Sequence, residues 1–504
     1  MGGLNLLLRL LLLISWTSYP LLFLFCNNIG FIRDGGISLP LVLLNSLAIA
    51  GYLILSAWIK KPNNSAIISM LLLLFFQIYG HLYYGLMDSF SIPYENFKHR
   101  FYLPIYLLFV IVPIYLLWRK KEIKKEIITV LSLVGAMLCF QFTPTLLEYL
   151  KQQDTKGPMA ERPPQKLDTP DIYYLILDSY STKENLNAFY GFDNSPFEDE
   201  LKQMGFEVIP KAKSNYPYTY FSLSSSLNMR YVNDYEDSVK LEKYDEEYPF
   251  TQIHHNKVAD YLRAKGYRYV LSKSAYDQLN DPTAGDIFID NAPSFNQFHQ
   301  AAVSLSLLSA FNLEAFYHHK NYDITKQAYL NWSEILAIPG SKFVFFHSLP
   351  PHPPFVFNAD GSYKAKEDRT ENLYGQKEDY LDQIKYVNDA VSKAARQILE
   401  TTNGNAIIII QGDHGTCSST KYSDEMKWPI DPPADLVSER YGILNAIYLP
   451  EQWKIPFGSN HTPVNTFRKI FNVLFNDSLE MQENQFYYGR YRPPYLWKAI
   501  EISP

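Results

Sequence analysis

The sequence predicts an α/β domain with a mainly parallel sheet flanked by helices, preceded by an α-helical bundle of five transmembrane helices. Three observations carry this prediction. Long apolar runs are confined to residues 1–150. The remainder alternates short strand-like runs with polar, helix-like segments, as in a sheet that helices cover on both faces. At 504 residues, the chain is also too long for one compact core, so two or more domains are expected.

Five apolar segments in the first part of the chain are each close to the length that crosses a bilayer. In our segmentation they are Leu6–Cys26, Ile37–Trp58, Ala66–Met87, Phe101–Trp118 and Ile127–Leu147. The first could be read as a signal peptide. It lacks a clear small-residue cleavage site and four similar segments follow it, so we expect it to be retained as a span.

Charge placement predicts the side of the membrane on which each loop lies. The loops after the second and fourth segments hold seven Lys and Arg residues, whereas the opposite loops hold three, Arg33, Lys98 and Arg100. The positive-inside rule therefore places the Lys-rich loops in the cytoplasm. Because the number of predicted spans is odd, everything after Leu150 is expected on the outer side.

Residues 151–170 are polar and hold four prolines, which predicts a linker between a transmembrane domain at 1–150 and an extracytoplasmic domain at 171–504. Residues 1–150 contain eleven of the 46 basic and six of the 52 acidic residues, which leaves 35 basic and 46 acidic residues, a net charge of −11, for the rest. So acidic a soluble part is a poor candidate for binding nucleic acid. Only Cys417 lies outside the predicted spans, so no disulfide can form within the soluble part.

Two apolar runs end in an acid where a predicted strand stops. One run is Ile172–Asp178, and the other, Ala406–Ile410, leads through Gln-Gly into Asp413-His414-Gly. Parallel strands present their carboxyl ends at one sheet edge, so these acids are expected to meet. Carboxylate oxygens beside an imidazole suit a divalent cation. The alternative is a capped turn in which Asp413 only holds backbone amides.

A hydroxyl and two histidines lie between these motifs in sequence. Tyr216-Pro217 imposes an extended approach, after which a helix can begin at Thr219. A hydroxyl at a helix start favours an incoming phosphoryl group, and a bound cation would make it a nucleophile. Its alternative role is an ordinary helix N-cap. His347 and His352 flank a Pro pair at a strand end and could contact phosphate oxygens or protonate a leaving group, unless the loop is only Pro-rich with incidental histidines.

This ordered set of motifs resembles the alkaline phosphatase superfamily, and within it the membrane-bound lipoteichoic acid synthases and lipid A phosphoethanolamine transferases. The motifs are Leu-Asp178, Thr219-x-x-Ser-Leu, His347-x4-His352 and Asp413-His414-Gly. The resemblance implies a sulfatase-like catalytic domain at 171–504 with Thr219 as nucleophile. It also implies one divalent metal, Zn²⁺ or Mn²⁺, and a substrate pocket that includes His347 and His352. The implied metal ligands are Asp178, Thr219, Asp413 and His414.

The activity that the resemblance implies is phosphotransfer at the outer face of a bacterial inner membrane. A phospholipid donor would give its head group, phosphoethanolamine or phosphoglycerol, through a phosphothreonine to a glycan or glycolipid acceptor of the cell envelope. One alternative is a hydrolase, a sulfatase-like phosphodiesterase or phosphatase that uses the same site with water. Another alternative is a non-catalytic membrane protein that binds glycan or partner proteins.

Two features depart from the pattern of related families, and one histidine is a possible extra ligand. No Cys/Ser-x-Pro-x-Arg motif occupies the Thr219 region, so cleavage of sulfate esters is not expected. Two-metal members carry an acid in a helix that resembles Tyr386-Val-Asn-Asp389, and Asn388 stands at the position we align with it, so we expect one metal. His461 could be a further ligand, although we expect a solvated loop histidine.

Overall fold

The computed structural model divides into two compact units, which we call the helical unit and the sheet unit. The helical unit comprises Met1–Gly157 with Ser294–Tyr317, and the sheet unit comprises Pro158–Pro293 with His318–Pro504. The predicted linker at 151–170 lies outside the described residues except for 166–170. The structure describes residues 2–27, 37–89, 99–147, 166–234, 248–291, 297–311, 314–365, 377–422, 425–491 and 497–502.

Helices occupy the positions of all five predicted spans. The α-helices of the described chain are α1 Gly2–Asn27, α2 Ser38–Ile59, α3 Pro62–Ser89, α4 His99–Arg119, α5 Lys125–Phe140, α6 Lys183–Tyr190, α7 Ser195–Gln203, α8 Thr219–Asn228, α9 Tyr248–His254, α10 Lys257–Ala264, α11 Gln297–Ser304, α12 Glu314–Leu330, α13 Trp332–Ala337, α14 Lys377–Thr402, α15 Ala434–Tyr441 and α16 Thr466–Phe475.

Four of these helices, α1 to α4, are long and apolar enough to cross a membrane, against the five spans predicted from sequence. Helix α5 has 16 residues and is followed by a turn at 141–142, which divides the predicted span Ile127–Leu147. Pro144 accounts for the break, because it has no N–H to donate to the carbonyl of Phe140.

A segment from the middle of the chain packs within the helical unit. We call residues 297–311, which form α11 and the 3₁₀ helix Leu307–Phe311, the inserted segment. Phe298 meets Phe25 of α1 edge to face, with ring centroids 5.5 Å apart. The backbone N–H of Gly80 donates to the carbonyl of Leu305 at 2.8 Å. The inserted segment therefore lies within 171–504 in sequence but in the helical unit in space.

The sheet unit contains the predicted, mainly parallel sheet. Its seven strands follow the order β2-β7-β6-β1-β5-β3-β4, in which β7 runs antiparallel to its neighbours β6 and β2 and the other six strands share one direction. Strand β4 and the separate hairpin β8–β9 were not predicted. The strands are β1 Asp171–Leu177, β2 Glu207–Val208, β3 Arg268–Ser272, β4 Ile287–Ile289, β5 Lys342–Ser348, β6 Ala406–Gly412, β7 Asn445–Tyr448, β8 Phe486–Tyr488 and β9 Lys498–Ile500.

The central strands are buried on both faces, as expected for a sheet covered by helices. Every residue of β1, β5 and β6 is buried. Alternate residues of β1 enter two separate cores, Tyr174 on one face and Tyr173 on the other. At the amino end of β1, Asp171 forms ion pairs of 2.9 Å with Lys166 and with Lys342. The charge at this end of the strand is therefore neutralised within the chain.

Candidate metal centre

The carboxyl ends of β1, β5 and β6 bring three potential ligands to one edge of the sheet. Leu177 lies opposite Ser348 on one side and Gly412 on the other, so Asp178 and Asp413 follow aligned strand ends. His347 stands one residue before the end of β5. One ligand atom from each of Asp178, His347 and Asp413 lies within 4.8 Å of the others, and all three residues are buried. This clustering follows directly from the parallel register.

Thr219 and His414 complete this cluster. Thr219 is the first residue of α8, and its Oγ1 lies 3.1 Å from Nε2 of His414. Nδ1 of His414 contacts the carbonyl of Gly415 at 2.8 Å and therefore carries the proton, which leaves Nε2 to accept a hydrogen bond or bind a cation. The same Nε2 lies 3.5 Å from Asp178 Oδ1 and 3.6 Å from Asp413 Oδ2.

Glycine permits the close approach that holds the His414 loop in place. A Cβ at Gly415 would collide with the carbonyl oxygens of Glu439 and Gly442. The backbone N–H of Gly415 also donates to the carbonyl of Arg440 at 2.7 Å. The Asp-His-Gly motif is thus pressed against α15, and a larger residue would displace the loop.

Two buried atoms at this centre have no hydrogen-bond partner in the described part of the chain. Asp413 Oδ1 accepts hydrogen bonds from the backbone N–H groups of Ser179 at 3.0 Å and His414 at 2.8 Å. Its other oxygen, Oδ2, has no hydrogen-bond partner among the described residues. His347 Nδ1 contacts Ser274 Oγ at 2.8 Å, while its Nε2 also lacks a partner in the described part of the chain. Buried polar atoms are rarely left unsatisfied, so these atoms fit a bound cation.

The electrostatics of the site point the same way. Burial raises the pKa of Asp178 to about 8, and burial together with the charge of Asp178 raises the pKa of Asp413 to about 8. Burial lowers the pKa of His347 to about 3 and holds the pKa of His414 well below its usual range. The imidazoles are therefore neutral donors of electron pairs. A divalent cation would allow both carboxyl groups to ionise.

His352 lies at the edge of the same site. Its backbone N–H donates to the carbonyl of Asp178 at 3.0 Å, and its ring centroid is 6.5 Å from that of His414. Its Nδ1 contacts the carbonyl of Pro353, and burial lowers the pKa of the ring. The structure thus brings all six predicted residues together, with His347 among the acids. They are Asp178, Thr219, His347, His352, Asp413 and His414.

Arg440 is a residue of this site that the sequence analysis missed. Its side chain is 1% exposed, and its Nη2 lies 3.4 Å from His414 Nε2. Its Nε donates to the carbonyl of Pro217 at 2.7 Å, and its guanidinium pairs with Glu425. An arginine in a helix with charged neighbours normally points to solvent, so no local signal in Ser-Glu-Arg-Tyr marked it.

Three residues considered for further metal sites have other contacts. Asn388 donates to Asn194 Oδ1 at 2.8 Å and accepts from the hydroxyl of Tyr180. Asp389 is exposed and pairs with Lys393 at 2.6 Å. The expectation that His461 is solvated is wrong, because it is buried and its Nε2 contacts Thr466 Oγ1 at 2.9 Å.

The fold and the site define a membrane protein of the alkaline phosphatase superfamily. The model of the sulfatase family matches residues 170–436, more than half of the chain. The chain therefore belongs to the sulfatase family and is an enzyme of that superfamily.

Several solved structures are similar to the chain at low identity. The C-terminal periplasmic domain of EcEptC from Escherichia coli in complex with Zn is 13% identical, covers 63% of this chain and 86% of its own, and has a TM-score of 0.41. The integral membrane protein lipooligosaccharide phosphoethanolamine transferase A (EptA) from Neisseria meningitidis is 12% identical. The match covers 91% of this chain and 95% of that protein, with a TM-score of 0.39. Ps i-CgsB is 12% identical, the match covers 62% of this chain and 73% of that protein, and the TM-score is 0.42. None of the curated proteins matches the chain by sequence.

Proposed function

We propose that the protein is a metal-dependent membrane phosphotransferase that moves a phospholipid head group through a phosphothreonine intermediate. The head group is phosphoethanolamine or phosphoglycerol, and the acceptor is a glycan or glycolipid of the cell envelope. One observation carries the proposal: Thr219 Oγ1, at the start of α8, lies 3.1 Å from His414 Nε2 beside two buried carboxyl groups. A hydroxyl placed in this way has the surroundings of an activated nucleophile.

One divalent cation, Zn²⁺ or Mn²⁺, fits the oxygen and imidazole donors of the site. Asp178, Asp413, His414 and Thr219 would hold it, and the unpartnered Nε2 of His347 faces the same place. When bound, the cation supplies Lewis-acid stabilisation and lowers the pKa of the threonine hydroxyl.

The reaction would proceed in two displacements. Thr219 Oγ attacks the phosphorus of the lipid phosphodiester, and the bond from phosphorus to the diacylglycerol oxygen breaks. The proton lost by Thr219 passes through the neutral imidazole of His352 to the departing diacylglycerol oxygen. An acceptor hydroxyl then attacks the phosphothreonine, and Thr219 recovers a proton from it. Arg440, whose guanidinium lies 3.4 Å from His414, and the positive end of the α8 dipole stabilise negative charge on the phosphoryl oxygens.

The membrane helices support a lipid donor and an outer location. Four helices are suited to crossing a bilayer, and the Lys-rich loops after α2 and α4 favour the cytoplasm. With α5 as a fifth crossing, this orientation would leave the sheet unit outside a bacterial inner membrane. A site that acts on lipid gains from being anchored, because anchoring raises the local concentration of the donor.

The test uses the purified full chain and a phospholipid labelled in its head group, with and without glycan or glycolipid acceptors. We expect a head-group adduct on the peptide that contains Thr219, and transfer that depends on the acceptor. Thr219→Ala removes both. Ser226→Ala is the matched control, since Ser226 is buried on the same helix and its hydroxyl donates to the carbonyl of Ser222 at 2.8 Å.

Each contrary outcome has a distinct meaning. Head group that appears only as free product with every acceptor identifies a hydrolase with the same site. Full activity of Thr219→Ala removes the covalent scheme. A wild-type protein that neither binds a divalent metal nor turns over lipid is a non-catalytic binding protein.

A further inference from the structure

The helical unit contains a cleft of about 710 Å³ between its apolar helices and the inserted segment. Its walls come from α1, α2, α3 and the inserted segment. Along α2, the lining runs from Leu39 to Leu55, which spans about 24 Å at 1.5 Å per residue. This length is most of the hydrocarbon thickness of a bilayer, about 30 Å. The cleft thus has the extent of a lipid acyl chain laid along a helix.

One end of the cleft is polar. Gln77, His81 and His299 line it there, whereas leucines dominate the wall along α2. Gln77 is 7% exposed, and its Nε2 donates to the carbonyl of Thr17 at 3.1 Å. Its Oε1 has no hydrogen-bond partner among the residues described. On the orientation set by the Lys-rich loops, α3 runs outward, so His81 lies toward the outer leaflet.

The inserted segment makes this cleft more than a groove between neighbouring helices. A Cβ on Gly80 would collide with the carbonyl oxygen of Ser304 and the backbone of Leu305, so the segment lies directly against α3. Ala302, Val303 and Leu305 form part of the wall. These residues lie within the stretch 170–436 that matches the sulfatase family, so the catalytic sequence itself supplies one wall.

We propose that this cleft binds a glycerophospholipid of the outer leaflet. An acyl chain lies along α2, and the polar glycerol and head-group region lies at Gln77 and His81, where a hydroxyl or ammonium group donates to the amide oxygen of Gln77. The identification of this lipid with the donor rests on the proposed function. The binding itself rests on the shape of the cleft, its polar end and the unpartnered oxygen. Filling by bulk lipid without preference is the competing outcome.

The experiment uses the full chain in nanodiscs that contain a trace of phospholipid with a photoreactive diazirine on one acyl chain. Irradiation followed by peptide mapping locates the lipid. We expect labels concentrated on α2, α3 and the inserted segment. Leu47→Trp, which fills the cleft, should lower that labelling about ten-fold, because a bulky side chain leaves no room for the chain. Leu53→Trp is the matched control, since Leu53 is on the same helix, 57% exposed against 59% for Leu47, and does not line the cleft.

Two further measurements separate this proposal from the proposed function. Thr219→Ala should label like the wild type, because the cleft does not contain Thr219. Leu47→Trp should slow turnover of long-chain donors while turnover of a water-soluble short-chain donor persists. Uniform labelling of all apolar helices, or unchanged labelling in Leu47→Trp, would overturn the cleft even if Thr219 proves to be the nucleophile. Specific labelling with full activity of Thr219→Ala would overturn the phosphothreonine and leave the cleft standing.

Discussion

The sheet unit and the helical unit use similarly apolar segments in opposite ways. In β1, β5 and β6, every residue is buried. In α2, the buried residues are Ala48 and Tyr52, while Leu47 and Leu53 are 59% and 57% exposed. The strands bury their apolar surface against protein, whereas α2 leaves its apolar surface for acyl chains.

The two units also differ in what makes them specific. The sheet unit gathers acids and histidines at one edge, where Asp413 Oδ2 and His347 Nε2 lack partners within the described chain. The helical unit depends on close backbone approach, as at Gly80. A change at the sheet edge should therefore alter chemistry more than stability, and a change at Gly80 should do the reverse.

The largest effect is expected for Asp413→Asn. Head-group transfer should fall by about 10³-fold, because the site loses a charge that would hold the cation. Thermal unfolding in chelator should show no loss of stability, since burial already disfavours the ionised carboxylate and an amide oxygen can accept the same backbone hydrogen bonds. Asp431→Asn, at an exposed ion pair with Lys498, is the control. If Asp413→Asn kept its activity but had a lowered melting temperature, Asp413 would be a structural residue and not a metal ligand.

Arg440→Met should reduce transfer by about 10²-fold, as for the loss of one donor to a developing negative charge. Methionine keeps much of the buried volume but removes the cation beside His414. Arg440→Lys should restore part of the rate, and metal binding should be unchanged in both variants. Arg468→Met is the control, because Arg468 bonds the carbonyls of Met229 and Glu480. Equal losses in Arg440→Met and Arg468→Met would show a purely structural role.

In the presence of a chelator, the free energy of unfolding should fall as the pH rises. Burial raises the pKa values of Asp178 and Asp413 to about 8 in the folded protein, above those of exposed carboxyl groups. Their contribution is therefore fully present near pH 4 and lost as pH rises through about 8. Added metal at about 100 times its Kd should stabilise the protein by about 2.7 kcal/mol. Melting temperatures measured across this range with and without metal should diverge toward high pH. Parallel curves would contradict the explanation that ionisation of Asp178 and Asp413 destabilises the metal-free protein.

Gly80→Ala should destabilise the helical unit by about 1–3 kcal/mol, because the new methyl group collides with backbone that cannot move aside. Gly85→Ala is matched on the same helix, where a Cβ meets nothing within 4 Å. Thermal unfolding and proteolysis of the inserted segment measure the difference. The transfer rate on a short-chain donor, per folded molecule, should be unchanged. Equal stability of the two variants would show that the contact at Gly80 contributes little.

Asp389→Ala should have the smallest effect, about 0.5 kcal/mol or less, because its ion pair with Lys393 is exposed. Metal content and transfer should equal those of the wild type. A loss of metal in this variant would instead mark Asp389 as a ligand.

Sequence alone could predict the parts of this site that strand ends define. Asp178 and Asp413 follow apolar runs, and a parallel sheet brings such ends together, so their meeting was predictable. Thr219 was predictable because Pro217 forces an extended approach before a helix.

Other features depend on tertiary contacts that no local pattern encodes. The burial of Arg440 arises from the packing of α15 against the Asp-His-Gly loop. The inserted segment joins the helical unit through contacts with Gly80 and Phe25, which are distant in sequence. The end of α5 was missed for another reason, because apolar composition outweighed Pro144 in our segmentation.

Strand β1 carries a carboxyl group at each end, and the two are balanced by different means. Lysines of the chain itself, Lys166 and Lys342, neutralise Asp171. On the proposed chemistry, the counter-charge of Asp178 is a divalent metal ion taken up from the medium. Starvation for that ion would then leave a folded but idle enzyme, which resupply would restore without new synthesis.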